Sequence, residues 1–327
     1  MNNRIDVHAH IVPPFLTEAA AAAGLGASVS SGFPAWSAEL ALAFMDQNGI
    51  SATLTSISQP GVHYGNEQRA RELARRCNDF MAELAVRYRG RFGAFAALPL
   101  PDVDGALAEI VHALDVLRLD GVGLLASYGS RFLGDAEFDP VLALLNERHA
   151  KVFVHPNYHP SSRALGMKIP GFLVEFPTDT TRAAVNLIFS GAIDRFPDIK
   201  FILAHNGGAL PYLSWRVSLA PLIDRRFQSF SQPSILAAIR SFHYETAQAA
   251  GPGPMAALAE VADPQRILLG TDWPYCPAAV TQASDAALAT QLRNSNTAEG
   301  VFRENALRLF PRFATEAVTK IAARRSG

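Results

Sequence analysis

Residues 4–12 read RIDVHAHIV, an apolar and β-branched run that closes on two histidines, His8 and His10, just ahead of Pro13 and Pro14. Side chains two positions apart on a strand leave it on the same face. If the run is a strand, both imidazoles therefore project to one side of its C-terminal end, and a pair so placed asks for a common partner. The same arrangement returns further along the chain. AKVFVHP at 150–156 closes on His155, DIKFILAHNGG at 198–208 on His205, and QRILLGTDWPY at 265–275 on Asp272.

Four more short apolar runs complete the set: ISATLTSIS at 50–58, GRFGAFAALPL at 90–100, LDGVGLLAS at 119–127 and SFHYETA at 241–247. Longer amphipathic stretches separate them, such as AELALAFMDQNG (38–49, with Gly49 as a stop), NEQRARELARRCNDFMAELAVRYRG (66–90), VDGALAEIVHALDVLR (103–118) and TDTTRAAVNLIFSGAIDRFP (178–197). Strand and helix in alternation mark βα units on a parallel sheet. Eight such units predict an α/β fold of the (β/α)₈ TIM-barrel type, as one domain over residues 1–327. An open doubly wound sheet would carry a glycine-rich phosphate loop after its first strand, and no such loop follows RIDVHAHIV.

Two connections exceed what a minimal barrel needs. Residues 11–37 are expected to form a short helix and a loop over the barrel mouth, and residues 156–177, rich in Pro and Ser, a second long loop after strand five. A terminal helix is expected at about 312–327.

Composition narrows the function classes. Hydrophobic residues make up 49% and charged residues 18%, which supplies a large core and argues against disorder. The formal net charge of -1 gives no field for nucleic acid or an anionic membrane. The apolar runs are short and interrupted, so neither a signal peptide nor a membrane span is expected. Cys77 and Cys276 are the only cysteines, too few for a disulfide framework, and a cytoplasmic location is expected.

In a parallel barrel the C-terminal strand ends meet at one mouth, where catalytic side chains sit. His8, His10, His155, His205 and Asp272 all fall at such ends. Any one of them alone would be read as a hydrogen-bonded structural residue; the repetition predicts a metal centre. Imidazole with carboxylate suits Zn²⁺, with Mn²⁺ or Fe²⁺ as substitutes.

DVHAH, VFVHP, ILAHNGG, LLGTDWP and the closing ENALRLFP, in this order, resemble the amidohydrolase-related superfamily in its aminocarboxymuconate semialdehyde decarboxylase branch. The resemblance runs from Ile5 to about Phe310. PAWS at 34–37, SQPGVHYG at 58–65 and HNGGALPYLSWR from His205 are similar to the 6-methylsalicylate decarboxylase-type members of that branch. The resemblance implies metal ligation by His8, His10, His155 and Asp272, with His205 as the catalytic histidine. Binuclear members place a lysine at the end of strand four. GVGLLASYG has none, so one metal ion is expected.

The resemblance also places Arg216 at the position of an arginine that reaches a neighbouring subunit's site and holds the substrate carboxylate, which implies a homodimer or higher homo-oligomer. Between His10 and Glu67 the chain has no arginine or lysine, which disfavours a dicarboxylate and favours a small aromatic monocarboxylate. Phe33, Trp36, Tyr64 and Trp273 lie in loops expected at the mouth and offer surface for a flat ring, as does His63 for a polar contact; packing within the loops is the alternative for each. Glu245, at the end of strand seven, is a candidate to orient a ligand histidine. His112, His149, His159 and His243 are read as structural or solvated, and Cys276 as a pocket residue without nucleophilic character.

The function expected is metal-dependent, nonoxidative decarboxylation of a hydroxylated aromatic acid, with Asp272 or His205 supplying the proton. The alternative is a hydrolase using metal-bound hydroxide on a lactone, amide or ester. A third is a ligand-binding protein on a barrel without activity.

Overall fold

Each of the eight apolar runs forms a strand. In the computed structural model, which describes residues 3–25, 32–293 and 297–314, these are β1 (Arg4–His10), β2 (Ile50–Ser56), β3 (Phe92–Ala97), β4 (Gly121–Leu125), β5 (Lys151–His155), β6 (Lys200–Leu203), β7 (His243–Glu245) and β8 (Ile267–Leu268). They pair in sequence order, and every pairing is parallel. The chain beyond β8 closes the ring onto β1. Val7 N–H donates to the Leu269 carbonyl at 2.9 Å, Asp272 N–H to that of His8 at 2.7 Å, and His10 N–H to that of Trp273 at 2.8 Å. The expected TIM barrel is therefore the fold.

The helices form where the periodicity placed them, with capping residues that explain their starts. Ser37 accepts from Leu40 N–H ahead of helix Ala38–Gln47, Asn66 from Arg69 N–H ahead of Glu67–Arg87, and Asp102 from Gly105 N–H ahead of Val103–Ile110. Helix Glu67–Arg87 buries Ala70, Leu73, Ala74, Cys77, Met81 and Leu84, the three-and-four spacing of a single stripe laid on the barrel.

Three details differ from the expectation. The stretch 178–197 is two helices, Glu175–Phe189 and Ala192–Arg195, parted where Gly191 takes a left-handed φ of 74°. Helix Val103–Ile110 continues as a π-helical turn, Val111–Val116. A two-stranded antiparallel hairpin, Ser127–Tyr128 with Arg131–Phe132, follows β4.

The connection at 11–37 holds helix Pro14–Ala22, and its residues 26–31 lie outside the described residues. The one at 156–177 contains two short helical turns, Pro160–Ala164 and Gly171–Leu173. From residue 315 on, the expected terminal helix lies outside the described residues.

Inside the barrel an apolar cluster lies below the mouth. Ile5, Val7, Ala52, Leu54, Phe95, Phe153, Ile202, Ala204 and Leu268 form one cluster, closed from below by Phe310 and Phe313. Phe310 meets Phe95 edge-on, Phe95 stacks on Phe153 with centroids 5.3 Å apart, and Phe153 meets the His8 ring at 4.8 Å. A column of rings thus runs from the floor to the mouth. Ile5 and Val7 belong to this interior cluster, yet His8 and His10, in the opposite phase of the strand, also belong to the interior. The register explains it: between Asp6 and Ala9, paired with Thr53 and Thr55, β1 carries one residue more than β2.

Candidate metal centre and active site

Four side chains from three parts of the chain converge at the mouth. The ligand atoms of His8, His10, His155 and Asp272 all lie within 4.8 Å of one another, and all four residues are buried. His8 Nε2 is 3.0 Å from His10 Nε2, and Asp272 Oδ1 is 3.1 Å from His10 Nε2 and 3.3 Å from His8 Nε2. Donors about 2.1 Å from one ion stand about 3.0–3.4 Å apart, so these separations fit a shared cation.

The other edge of each ring is already engaged. His8 Nδ1 donates to Glu245 Oε1 at 2.8 Å, His155 Nδ1 to the Pro156 carbonyl at 2.8 Å, and His10 Nδ1 to Ser56 Oγ at 3.0 Å. Ser56 Oγ in turn donates to the Ala9 carbonyl at 3.4 Å. Each Nδ1–H so fixed leaves Nε2 with a lone pair facing the cluster, the tautomer a metal requires.

Electrostatics fit the same picture. Burial holds the His155 pKa well below its usual value, with His10 and His8 adding to the effect. Burial likewise lowers His10. Burial would raise Asp272, but the charge of His8 and hydrogen bonds from His10 and His8 hold it well below the carboxylate range. At His8 burial pulls down while Glu245 and Asp272 pull up, and the balance is about 10. A cation held by His8, His10, His155 and Asp272 would take the place of that proton.

His205 flanks the cluster, its ring centroid 5.1 Å from that of His8. Its Nδ1 donates to the Ala247 carbonyl at 3.0 Å, and its backbone N–H to Glu245 Oε1 at 2.5 Å. Glu245, wholly buried, thus ties His8 to His205. Asp272 Oδ2 is held by Gln248 Nε2 at 2.7 Å. His205, Asn206, Gln248 and Asp272 are non-glycine residues with φ of 53–60°, a costly conformation gathered at this one end of the barrel.

The aromatic surroundings differ from those read in the sequence. Trp273 stacks on Phe44 at 5.2 Å and so faces the layer between the barrel and helix Ala38–Gln47. Tyr275, two residues on, turns inward instead and meets the His10 ring edge-on at 5.4 Å. Phe176 approaches His155 at 6.3 Å. Neither Tyr275 nor Phe176 was singled out in the sequence; only the position of Tyr275 beside Asp272 gave a signal.

Trp36 packs edge-on against Phe80 of helix Glu67–Arg87, at 5.8 Å. The Tyr64 hydroxyl donates to the Gly61 carbonyl at 2.9 Å, and burial raises its pKa. Phe33 and His63 are half-buried in their loops, and Arg216 lies exposed on helix Leu210–Ser218. Of the residues expected to meet the substrate, Trp36 and Trp273 line a small cavity behind His10 together with Phe44. Among the remaining histidines, His112 pairs with Asp79, His149 with Asp198, and His159 stacks on Phe132. Cys276 is buried, and burial pushes its thiol up to about 11, unsuited to a nucleophile.

Comparison with known proteins agrees with this geometry. The chain is 35% identical over 315 residues to a 6-methylsalicylic acid decarboxylase of Penicillium expansum, covering 94% of this chain and 96% of that protein. It is 31% identical over 293 residues to a gamma-resorcylate decarboxylase of Rhizobium sp., covering 82% and 85%. A dihydroxybenzoic acid decarboxylase from Polaromonas sp., solved with bound manganese and the inhibitor 2-nitroresorcinol, matches with a TM-score of 0.78 at 25% identity over 95% of this chain and 97% of that one. Residues 5–312 match the amidohydrolase family, and the chain belongs to it.

Proposed function

We propose that this amidohydrolase-family chain is a metal-dependent, nonoxidative decarboxylase of a small hydroxylated aromatic acid of the 6-methylsalicylate type. The observation that carries the reading is the buried set of His8, His10, His155 and Asp272, with one edge of each imidazole already committed and the other turned to a common centre. Relatives that span nearly the whole chain and decarboxylate 6-methylsalicylic acid support the substrate class.

His8, His10, His155 and Asp272 hold one divalent ion in this reading. Three imidazoles and a carboxylate suit Zn²⁺; Mn²⁺, present in the Polaromonas relative, is the competing occupant. When bound, the ion supplies a Lewis acid for the carboxylate and the neighbouring hydroxyl of the substrate. The Tyr275 and Phe176 rings flank the flat ring of the acid. A proton passes to the ring carbon that bears the carboxylate, from His205 Nε2 or from Asp272, which rests ionised and must first take up the proton that the reaction draws from solvent. The bond to the carboxylate then breaks, its electron pair returns to the ring, and CO₂ leaves; the net change consumes one proton from solvent.

The reading extends to a homo-oligomer in which Arg216 reaches the neighbouring site. Tyr212 and Trp215, on the same helix as Arg216, are 81% and 66% exposed, and Leu222 and Ile223 continue this apolar surface, as a subunit contact would. A reducing cytoplasm fits the two free cysteines, Cys77 and Cys276, both buried. No helix among the described residues is long and apolar enough to cross a membrane.

The test is a panel of salicylates and substituted benzoates, assayed for CO₂ with and without chelator. The expected result is CO₂ release without incorporation of solvent oxygen, abolished by chelation and restored by Zn²⁺ or Mn²⁺. Hydrolysis of lactones, esters or amides with no CO₂ from any acid would overturn it in favour of the hydrolase.

A further inference from the structure

A strand that alternates strictly cannot place Ile5, Val7, His8 and His10 all in the barrel interior. The odd positions serve the floor and the even ones the mouth, and the extra residue between Asp6 and Ala9 is what changes the phase. The ligand pair depends on that irregularity staying where it is.

One side chain spans it. Asp6 is 1% exposed, and its carboxylate takes four donors. Oδ1 accepts from the backbone N–H of His8 at 3.0 Å and of Thr271 at 3.1 Å. Oδ2 accepts from the hydroxyls of Thr271 at 2.7 Å and Thr53 at 3.2 Å. Thr271 immediately precedes Asp272, and its hydroxyl also accepts from Trp273 N–H at 3.2 Å. The carboxylate thus grips the backbone of one candidate ligand, His8, and the neighbour of another, Asp272, across the seam where the barrel closes. Between β1 and the chain after β8 that seam is otherwise held by a few backbone bonds and the bridge of Ala9 with Trp273.

We propose that Asp6 is a positioning residue for the metal centre: it pins the β1 irregularity and the Thr271–Asp272 turn to each other, and so fixes the spacing between the β1 histidines and Asp272. The proposal rests on the reading of these residues as metal ligands, and is independent of which substrate the enzyme takes. A second-layer contact of this kind is worth about 10- to 100-fold in metal affinity.

The experiment measures Zn²⁺ affinity by chelator competition, alongside thermal unfolding of the metal-free protein, in four variants. Asp6→Asn keeps the shape but weakens the charge-assisted bonds to His8 and Thr271, and about a 10-fold loss of affinity is expected. Thr271→Val removes the hydroxyl bond on the Asp272 side and should lose a similar factor, with Thr271→Ser restoring it. Thr53→Val removes a bond to the same carboxylate oxygen from β2, which carries no ligand, and should leave affinity unchanged.

Amide exchange at His8 and Thr271 should quicken in Asp6→Asn. If Thr53→Val and Thr271→Val lower affinity equally, in proportion to lost stability, or if Asp6→Asn binds Zn²⁺ as the parent does, the positioning role is wrong. Wild-type protein that binds no Zn²⁺ would instead remove the metal reading itself, and failure of every acid to yield CO₂ would leave this inference standing.

Discussion

The two ends of the barrel are built from the same strands under opposite rules. At the floor, Ile5, Val7, Leu54, Phe95, Ile202 and Leu268 pack against Phe310 and Phe313 with no polar atom among their side chains. At the mouth, a few residues further along those strands, His8, His10, His155, His205, Glu245 and Asp272 are buried without an apolar reason to be there. Four of the six non-glycine residues with positive φ among the described residues, His205, Asn206, Gln248 and Asp272, cluster at the mouth, while the other two, Arg118 and His149, lie in turns leading into β4 and β5 at the opposite end. Burying polar groups and holding strained backbone both cost stability. The floor supplies it through apolar burial, so the barrel separates the end that stabilises from the end that reacts.

That division can be tested by striking each end in turn. The largest effect is expected from Asp272→Asn: turnover should fall by about 10²–10⁴-fold, the range for loss of a general acid, while thermal unfolding of the metal-free protein stays close to the parent's. Retained activity would remove Asp272 from the chemistry and leave the mouth as a structural feature. Next, Phe95→Ala at the floor should cost about 3–5 kcal/mol in denaturant unfolding, with kcat of the folded, metal-saturated enzyme unchanged. A fall in kcat as well would show that the ring column from Phe95 through Phe153 to His8 transmits floor packing to the ligands, and the two ends would no longer be independent.

The smallest effect concerns pH at the floor end of β7. Burial, with Arg266 adding to it, lowers the His243 pKa from 6.5 to about 4. The unfolded chain therefore binds the proton more readily than the folded one, and the stability present above pH 6.5 is lost as pH falls towards 4. A His243→Gln variant should show a shallower loss across that window in urea titrations, with activity at neutral pH unaltered. An identical slope would mean that His243 is solvated and the floor more open than its burial indicates.

The metal cluster was legible because its signal is local. An apolar run closing on His or Asp encodes both a strand and the polar residue at its C-terminal end, and the barrel topology then brings such ends together. The aromatic lining was not legible for the opposite reason. Trp273 and Tyr275 are two residues apart, yet one stacks on Phe44 outside the barrel and the other meets His10 inside it. The turn through Pro274 decides which ring goes where, and residue type says nothing of that. Phe176 reaches His155 from the first turn of helix Glu175–Phe189, in a stretch that the sequence pattern assigns to the long loop at 156–177. Gln248 sat in the unremarked stretch after β7, where a glutamine reads as an ordinary surface residue until its amide is found on Asp272.

Asp6 illustrates the boundary most sharply. In DVHAH it looks like the first polar residue of an alternating strand, and alternation alone would put it on the same face as His8 and His10. The closed barrel places it instead between Thr53 and Thr271. The sequence by itself determined the eight βα units and the residues that end the strands, because hydrophobic periodicity and helix caps act within a few residues of chain. The tertiary structure alone decided the phase shift inside β1, the inward turn of Tyr275 and the fixing of each imidazole's Nδ1. Those depend on atoms from strands far apart in sequence, which meet only once the ring of strands has closed.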